Sequence, residues 1–336
     1  VAVKPLFFVE WRSGSLSARP PLGAAAAERF GVVAGRRRGH TSRQAQLRRL
    51  AAYCVTPAAV VILLLIAYPL ASVLWEAVHN VILTNPAVSG FAGFDNFVTV
   101  FTDERFWPAF WRTGLWTAVS VAGEYALGLG SAVALAQPSR ARGVSRAIVL
   151  IPWVIPIVVA GLTWTWMLTP DYGIVNLWLV NVGLLSKPFY WLGNLNTALL
   201  TVSVVNIWRS FPFYTICLLA ALMAIPKELI ESAAMDGADS IRRFIYITLP
   251  GVKTVSLTLI FIHVIATAIN FDFIWVMTQG GPLNSSETLP ILIYRFALED
   301  FDVGAASALA TMTMGFMLAV FFVYWYATRN PYEETR

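Results

Sequence analysis

The sequence predicts an all-α membrane protein of six transmembrane helices with both termini on the cytoplasmic side. Three observations carry that expectation. The 336 residues are 57% hydrophobic and only 13% charged, where a soluble domain carries about 25% charged residues. Six stretches, near 53–76, 113–136, 147–168, 197–224, 254–277 and 304–327, reach the roughly 20 apolar residues that a helix needs to cross a bilayer. Charge then alternates between the connecting segments. The N-terminal arm, the loop at Arg140, Arg142 and Arg146, the 225–253 loop and the tail hold 19 Lys and Arg, while the opposite loops hold 4. Basic residues collect on the cytoplasmic face. The net charge of +5 therefore has an explanation that needs no nucleic acid. Cys54 and Cys217 lie inside apolar spans, which suits small packing residues better than a disulfide, and the three histidines are scattered. No GxxxxGK[ST] phosphate loop occurs, so ATP is not expected to bind this chain.

Three zones follow in order: a basic arm at 1–50, a six-span region at 51–330 and a short tail at 331–336. The arm carries GRRRGH and RQAQLRR and is expected to be largely disordered, with a basic helix from about Thr41 on the membrane face. Its apolar run at 6–9 is too short for a signal-peptide core, and no small-residue cleavage site follows it. The first outer loop, about 77–112, places Trp107, Phe110 and Trp111 where an interfacial aromatic belt belongs. In the third span Pro152 and Pro156 predict a kink, either at a pathway or simply where neighbouring helices satisfy the freed carbonyls. Gly280, Gly281 and Pro282 predict a tight turn where the fifth span meets the outer face. No internal repeat is visible, so one chain is not expected to hold both halves of a pathway.

The longest polar interruption of the second half is 226–250, PKELIESAAMDGADSIRRFIYITLP. Pro226 suits a helix start, and Leu229, Ile230, Ala233 and Ala234 recur at helical spacing. Gly237 ends that helix, as a residue free to take positive φ. Asp239 caps a second helix with Ile241, Phe244, Ile245 and Leu249 on one face, and Pro250 is expected to close the unit. Two short helices about a glycine elbow make a compact knob shaped to enter a cleft on another protein.

Glu231, Ser232 and Ala233, then Asp236 and Gly237, then Ile247, Leu249 and Pro250 have the spacing EAA, three residues, G, nine residues, I-x-L-P. This resembles the EAA loop of ABC-importer permeases, with Ser232 where alanine is usual; serine is nearly as small, so close helix approach survives. The resemblance implies a type I ABC importer permease fold in the bacterial cell membrane. It also implies that the knob seats on a cytoplasmic ATPase dimer, that ATP and Mg are bound by that partner, and that this chain needs no cofactor of its own. A second, homologous permease subunit and an extracytoplasmic solute-binding protein complete the implied assembly.

Glu124, Arg209, His263 and Asp272 lie within the expected spans. An ionised group near the bilayer centre is expensive and should face protein or water. At about 1.5 Å per residue, Glu124 and Arg209 lie at similar depth, so Arg209 is expected to pair with Glu124, or failing that with Asp272. That pair serves either the pathway or structure alone. His263 reads as a satisfied polar residue at a helix contact. The segments around Arg209 and Asp272, VNIWRSFPFYTICLLAALMAIP and NFDFIWVMTQGGP, together with IPWVIPIVVAGLTWTWMLTPDYGIVNLWL, are similar to carbohydrate permeases of the maltose type. By that resemblance Asn206, Arg209, Ser210 and Phe213 would line a sugar cavity from one side, and Asn270, Phe271 and Asp272 from the other. The implied function is uptake of a sugar or oligosaccharide. Glycerol phosphate, an amino acid or a polyamine is the alternative cargo, and a membrane enzyme or channel subunit the more distant reading.

Overall fold

The computed structural model describes residues 37–329 apart from 86, 88 and 139. The expectations for residues 1–36 and for the tail fall outside the described residues. Two compact units divide between Ala67 and Tyr68. In the first, helix α1 (Arg37–Ile62) ends in a widened π turn, Leu63–Ala67. The helix thus begins before Thr41, inside the arginine run that was expected to be irregular.

The second unit opens with α2 (Tyr68–Glu76), a two-residue hairpin of β1 (His79–Asn80) and β2 (Gly90–Phe91), and α3 (Asp95–Thr102). Asn96 pins this hairpin, its amide donating to the carbonyls of Ala77 (3.1 Å) and His79 (2.8 Å). Then come α4 (Phe106–Ala136), α5 (Arg142–Val154), α6 (Ile157–Met167), α7 (Ile174–Asn181) and α8 (Ala198–Met223). Beyond the knob lie α12 (Lys253–Ala268), α13 (Asp272–Thr278), α14 (Leu289–Leu298) and α15 (Val303–Thr328). Among the described residues four helices are long and apolar enough to cross a membrane, and two bent pairs raise the number to six.

Helices α4 and α8 form the spine of the unit, and glycines allow their approach. A Cβ on Gly128 would lie 2.3 Å from the Tyr214 Cβ and 3.2 Å from the Phe211 carbonyl oxygen. Three apolar clusters are strung along this spine. One gathers Val100, Phe106, Leu292, Phe296 and Leu309 at the hairpin end. A second sets Trp116 and Val202 against Phe273, Ile274 and Met277. The third packs Tyr214, Leu218, Val252 and Leu259 toward the knob.

Two expected spans are interrupted. The third does not merely kink: α5 and α6 meet at 92°. Pro156 has no N–H to give and forces Ile155 out of the helical region, to φ −69°, ψ 128°. The fifth was expected to run unbroken to 277, but it stops at Ala268 and restarts at Asp272. Asn270 makes the restart possible by accepting from the Phe273 N–H at 3.1 Å.

The connecting loop beyond α13 turns at Gly280, with φ +83°, and carries a cis Gly281–Pro282 bond. Arg295 clasps it: Nη1 donates to Asn284 Oδ1 at 2.6 Å and to the buried Glu287 carboxylate, and Nη2 to the Gln279 carbonyl at 3.1 Å. Burial pushes the Glu287 carboxyl up, against the pull of Arg295, Arg105 and Arg112. Asn176 plays a similar part between α6 and the 183–197 segment. Its Oδ1 accepts from the Phe189 N–H (3.0 Å) and Trp191 Nε1 (3.1 Å), and its amide donates to the Phe189 carbonyl (3.1 Å).

Candidate functional site

The knob is built as its residues dictate, except at its end. Helix α9 (Lys227–Met235) follows Pro226. It closes with Ala238 N–H on the Ala233 carbonyl (2.9 Å) and Gly237 N–H on the Ala234 carbonyl (3.1 Å), with Gly237 at φ +80°. That paired ending requires a left-handed residue. Asp239 then caps α10 (Ser240–Arg243), its Oδ1 accepting from the Arg242 N–H at 2.7 Å.

Pro250 does not end the unit. A π turn over Phe244–Thr248 brings the Leu249 N–H to the Phe244 carbonyl, five residues back, and helix α11 (Leu249–Gly251) carries through the proline. The shifted register absorbs the donor that Pro250 lacks. The chain turns 64° only afterwards, into α12.

No residue of α9 or α10 is buried. Glu231, Ser232, Asp236, Gly237, Leu249 and Pro250 are exposed, while Ala233 and Ile247 are half-buried. Met235 is 88% exposed, Tyr246 76% and Ile241 69%. On its other side the knob borders a cleft of about 420 Å³, where Ile230 and Phe244 approach Val133, Leu222 and Ile225. One face is thus fitted to the ends of α4 and α8, and the other leaves large apolar side chains bare.

Inside the bundle the expected Glu124–Arg209 pair is absent. The Glu124 side chain is fully buried and both its oxygens are taken by other groups. Oε1 accepts from Asn206 Nδ2 at 2.9 Å, and Oε2 lies 2.7 Å from His263 Nδ1. Arg209 instead donates from Nε to the Ile155 carbonyl at 3.3 Å, the oxygen exposed by the break between α5 and α6. Among the described residues no carboxylate lies within ion-pair distance of Arg209. Depth along a span had suggested the partner. Azimuth decided it, because Asn206 and not Arg209 is the α8 residue turned toward Glu124.

The expected cavity set divides. Asn206 is buried with its amide committed to Glu124, so it does not line an open surface. Arg209, Ser210 and Phe213 are half-buried. Asn270 caps α13, Phe271 stacks on Trp275 with centroids 5.2 Å apart, and Asp272 is exposed at the start of α13. No hydrogen bond joins this second set to the first among the described residues. Two residues given no role beforehand belong to the site. Trp153, from PWVIP, lies 5.9 Å from Phe213, and the His263 ring lies 5.4 Å from Phe213 on its other side. Successive rings are tilted by 32° and 30°, so helices α5, α8 and α12 contribute a row of three. The two prolines flanking Trp153 were the only hint of it in the sequence, whereas His263 stood out as an ionisable residue in a span and is, as expected, satisfied at a helix contact, on Glu124.

An exposed two-helix knob beside a bundle with a buried polar cluster and two bent helix pairs is the architecture of a multi-pass membrane component. Residues 126–330 match the family described as binding-protein-dependent transport system inner membrane component. The chain belongs to that family, and it is a multi-pass transport component rather than an enzyme. It is 34% identical to the sulfoquinovosyl glycerol transport system permease protein SmoG of Agrobacterium fabrum, over 82% of this chain and 89% of the relative. It is also 34% identical to the trehalose/maltose transport system permease protein MalF of Thermococcus litoralis, over 80% and 90%. The trehalose transport system permease protein SugA of Mycobacterium tuberculosis is 32% identical over 84% and 89%. In fold it is similar to a chain of a bacterial ABC transporter involved in import of the acidic polysaccharide alginate. The TM-score is 0.75 at 24% identity, covering 87% of this chain and 99% of that one.

Proposed function

We propose that this chain is one of two membrane subunits of an ATP-driven importer for a sugar or oligosaccharide. The observation that carries the proposal is its likeness, along more than four-fifths of its length, to a permease named for sulfoquinovosyl glycerol and one named for trehalose. The local chemistry supports it. Sugars are held by amides and charged groups on their hydroxyls and by aromatic faces on their apolar ring surfaces, and Arg209, Ser210, Phe213, Trp153 and His263 supply such groups on facing helices. The termini and the knob lie in the cytoplasm on this reading, where the knob meets an ATPase dimer that binds ATP and Mg. ATP-driven closure of that dimer turns the helices as a body and opens the cavity alternately to either side. A solute-binding protein delivers cargo from outside.

One observation favours a second reading of the cargo. Arg209 is half-buried without a carboxylate partner, so an anionic sugar would supply the missing charge. The test is uptake into proteoliposomes containing the assembled transporter, its binding protein and ATP. Trehalose, maltose, sulfoquinovosyl glycerol and glycerol phosphate are offered separately. ATP-dependent uptake of any of the first three supports the sugar reading, and uptake of sulfoquinovosyl glycerol alone selects the anionic one. Uptake of glycerol phosphate alone, or of none, overturns it.

A further inference from the structure

We infer that Glu124 is a positioning residue: it fixes the proton of His263 on Nδ1 and so leaves Nε2 as a hydrogen-bond acceptor for a solute hydroxyl. This deepens, and rests on, the reading of the α5–α8–α12 face as a sugar pathway.

The argument starts from the carboxylate. Glu124 Oε1 already accepts from the Asn206 amide, and Oε2 stands 2.7 Å from His263 Nδ1. With Glu124 ionised, its oxygens only accept, so the hydrogen in the second bond sits on Nδ1. Which nitrogen of a histidine is protonated follows from what the other bonds to. Among the described residues Nε2 has no hydrogen-bond partner, and the His263 side chain is 16% exposed. The ring cannot swing away, because Phe213 lies against it at 5.4 Å and Tyr214 at 4.5 Å, and the Tyr214 hydroxyl is itself held by the Leu259 carbonyl. Glu124 itself is fully buried. Three helices therefore converge on one proton position.

The groups facing this imidazole are few. From α4 comes Glu124, and from α8 come Phe213 and Tyr214. α5 contributes only the neutral Trp153 to this ring row, and α15 brings Tyr324 to another face of α12, against Phe261 at 4.1 Å.

Glu124→Gln tests the assignment without a change of size. Asn206 still donates to the glutamine oxygen, which leaves the glutamine N–H₂ facing Nδ1 and drives the proton to Nε2. Combining it with Asn206→Asp restores the arrangement. The glutamine amide then donates to the new carboxylate, and its oxygen again receives the Nδ1 proton. In the assembled transporter, with trehalose or whichever of the sugars above is taken up, Glu124→Gln should raise KM about tenfold with Vmax held within about twofold. The double variant should recover the wild-type KM. Nitrogen-15 spectra of this subunit's histidines, compared with His263→Asn, should show the proton on Nδ1 in the wild type and in the double variant, and on Nε2 in Glu124→Gln. Unchanged KM in Glu124→Gln, or Nε2 protonation in the wild type, overturns the inference. So does equal loss of assembly in the single and double variants, which marks a purely structural carboxylate. The spectra need no solute, so they decide this point even where every sugar fails and the transport reading falls by itself.

Discussion

Two glycines carry opposite constraints. Gly128 has no space: any side chain meets the backbone and Cβ of α8 within 3.2 Å. Gly237 has ample space, with nothing within 4 Å of an added Cβ, but its φ of +80° is unfavourable for L side chains. Gly128→Val should therefore prevent α4 and α8 from packing and abolish monodisperse protein on fluorescence-detected size exclusion, while Gly130→Ala, with open space around it, should not. Gly237→Val should leave the spans inserted and the protein monodisperse, and yet abolish ATP-driven uptake and co-purification of the ATPase. Normal ATPase stoichiometry in that variant would contradict a coupling role for the elbow.

Short elements at the hairpin end are held by charge. Arg105 donates to both Asp103 (3.0 Å) and Asp300 (2.9 Å), and its guanidinium lies 4.6 Å above the Phe296 ring. Burial alone would raise the Asp103 carboxyl, but the side-chain and backbone hydrogen bonds from Arg105 together outweigh it and hold that carboxyl below its ordinary value. A depressed carboxyl stabilises the fold above its unfolded value of about 3.9 and loses that contribution as pH falls through the folded value. Asp103→Asn should accordingly lower stability at pH 7 by roughly 1 kcal/mol or less. The gap to the wild type should close as pH falls through the folded value. A gap that persists unchanged in acid would mean that packing, not charge, is what the substitution disturbs. The knob's helices are a contrasting case. They rest on local signals, the Asp239 cap and the Gly237 ending, and were legible residue by residue.

At the scale of the whole molecule, one face of the knob fits the bundle and the other does not. The bare side chains of Ile241, Met235 and Tyr246 on the 226–250 excursion are a surface that wants a partner. Cysteines introduced at Met235 and Tyr246 and crosslinked in native membranes should capture the ATPase with high yield, and cysteines at Trp111 near the opposite end should not. Adducts only to lipid, or only to this same chain, would remove the lever from the mechanism.

By itself the sequence determined the class. Apolar run length and the basic residues between runs are one-dimensional properties that a bilayer imposes on any chain that crosses it, and the spacing from Glu231 to Pro250 is likewise read along the chain. It also located the polar residues within the spans, but not their partners. Only the tertiary structure decided that Glu124 binds Asn206 and His263 while Arg209 turns to the Ile155 carbonyl. It also decided that the third span breaks at 92° and that the fifth stops at Ala268. The physical reason is that depth along a helix follows from counting residues, whereas the direction a side chain faces depends on how neighbouring helices rotate and bend against it. Those rotations were set by contacts such as Gly128 on Tyr214, between residues 86 positions apart in the chain.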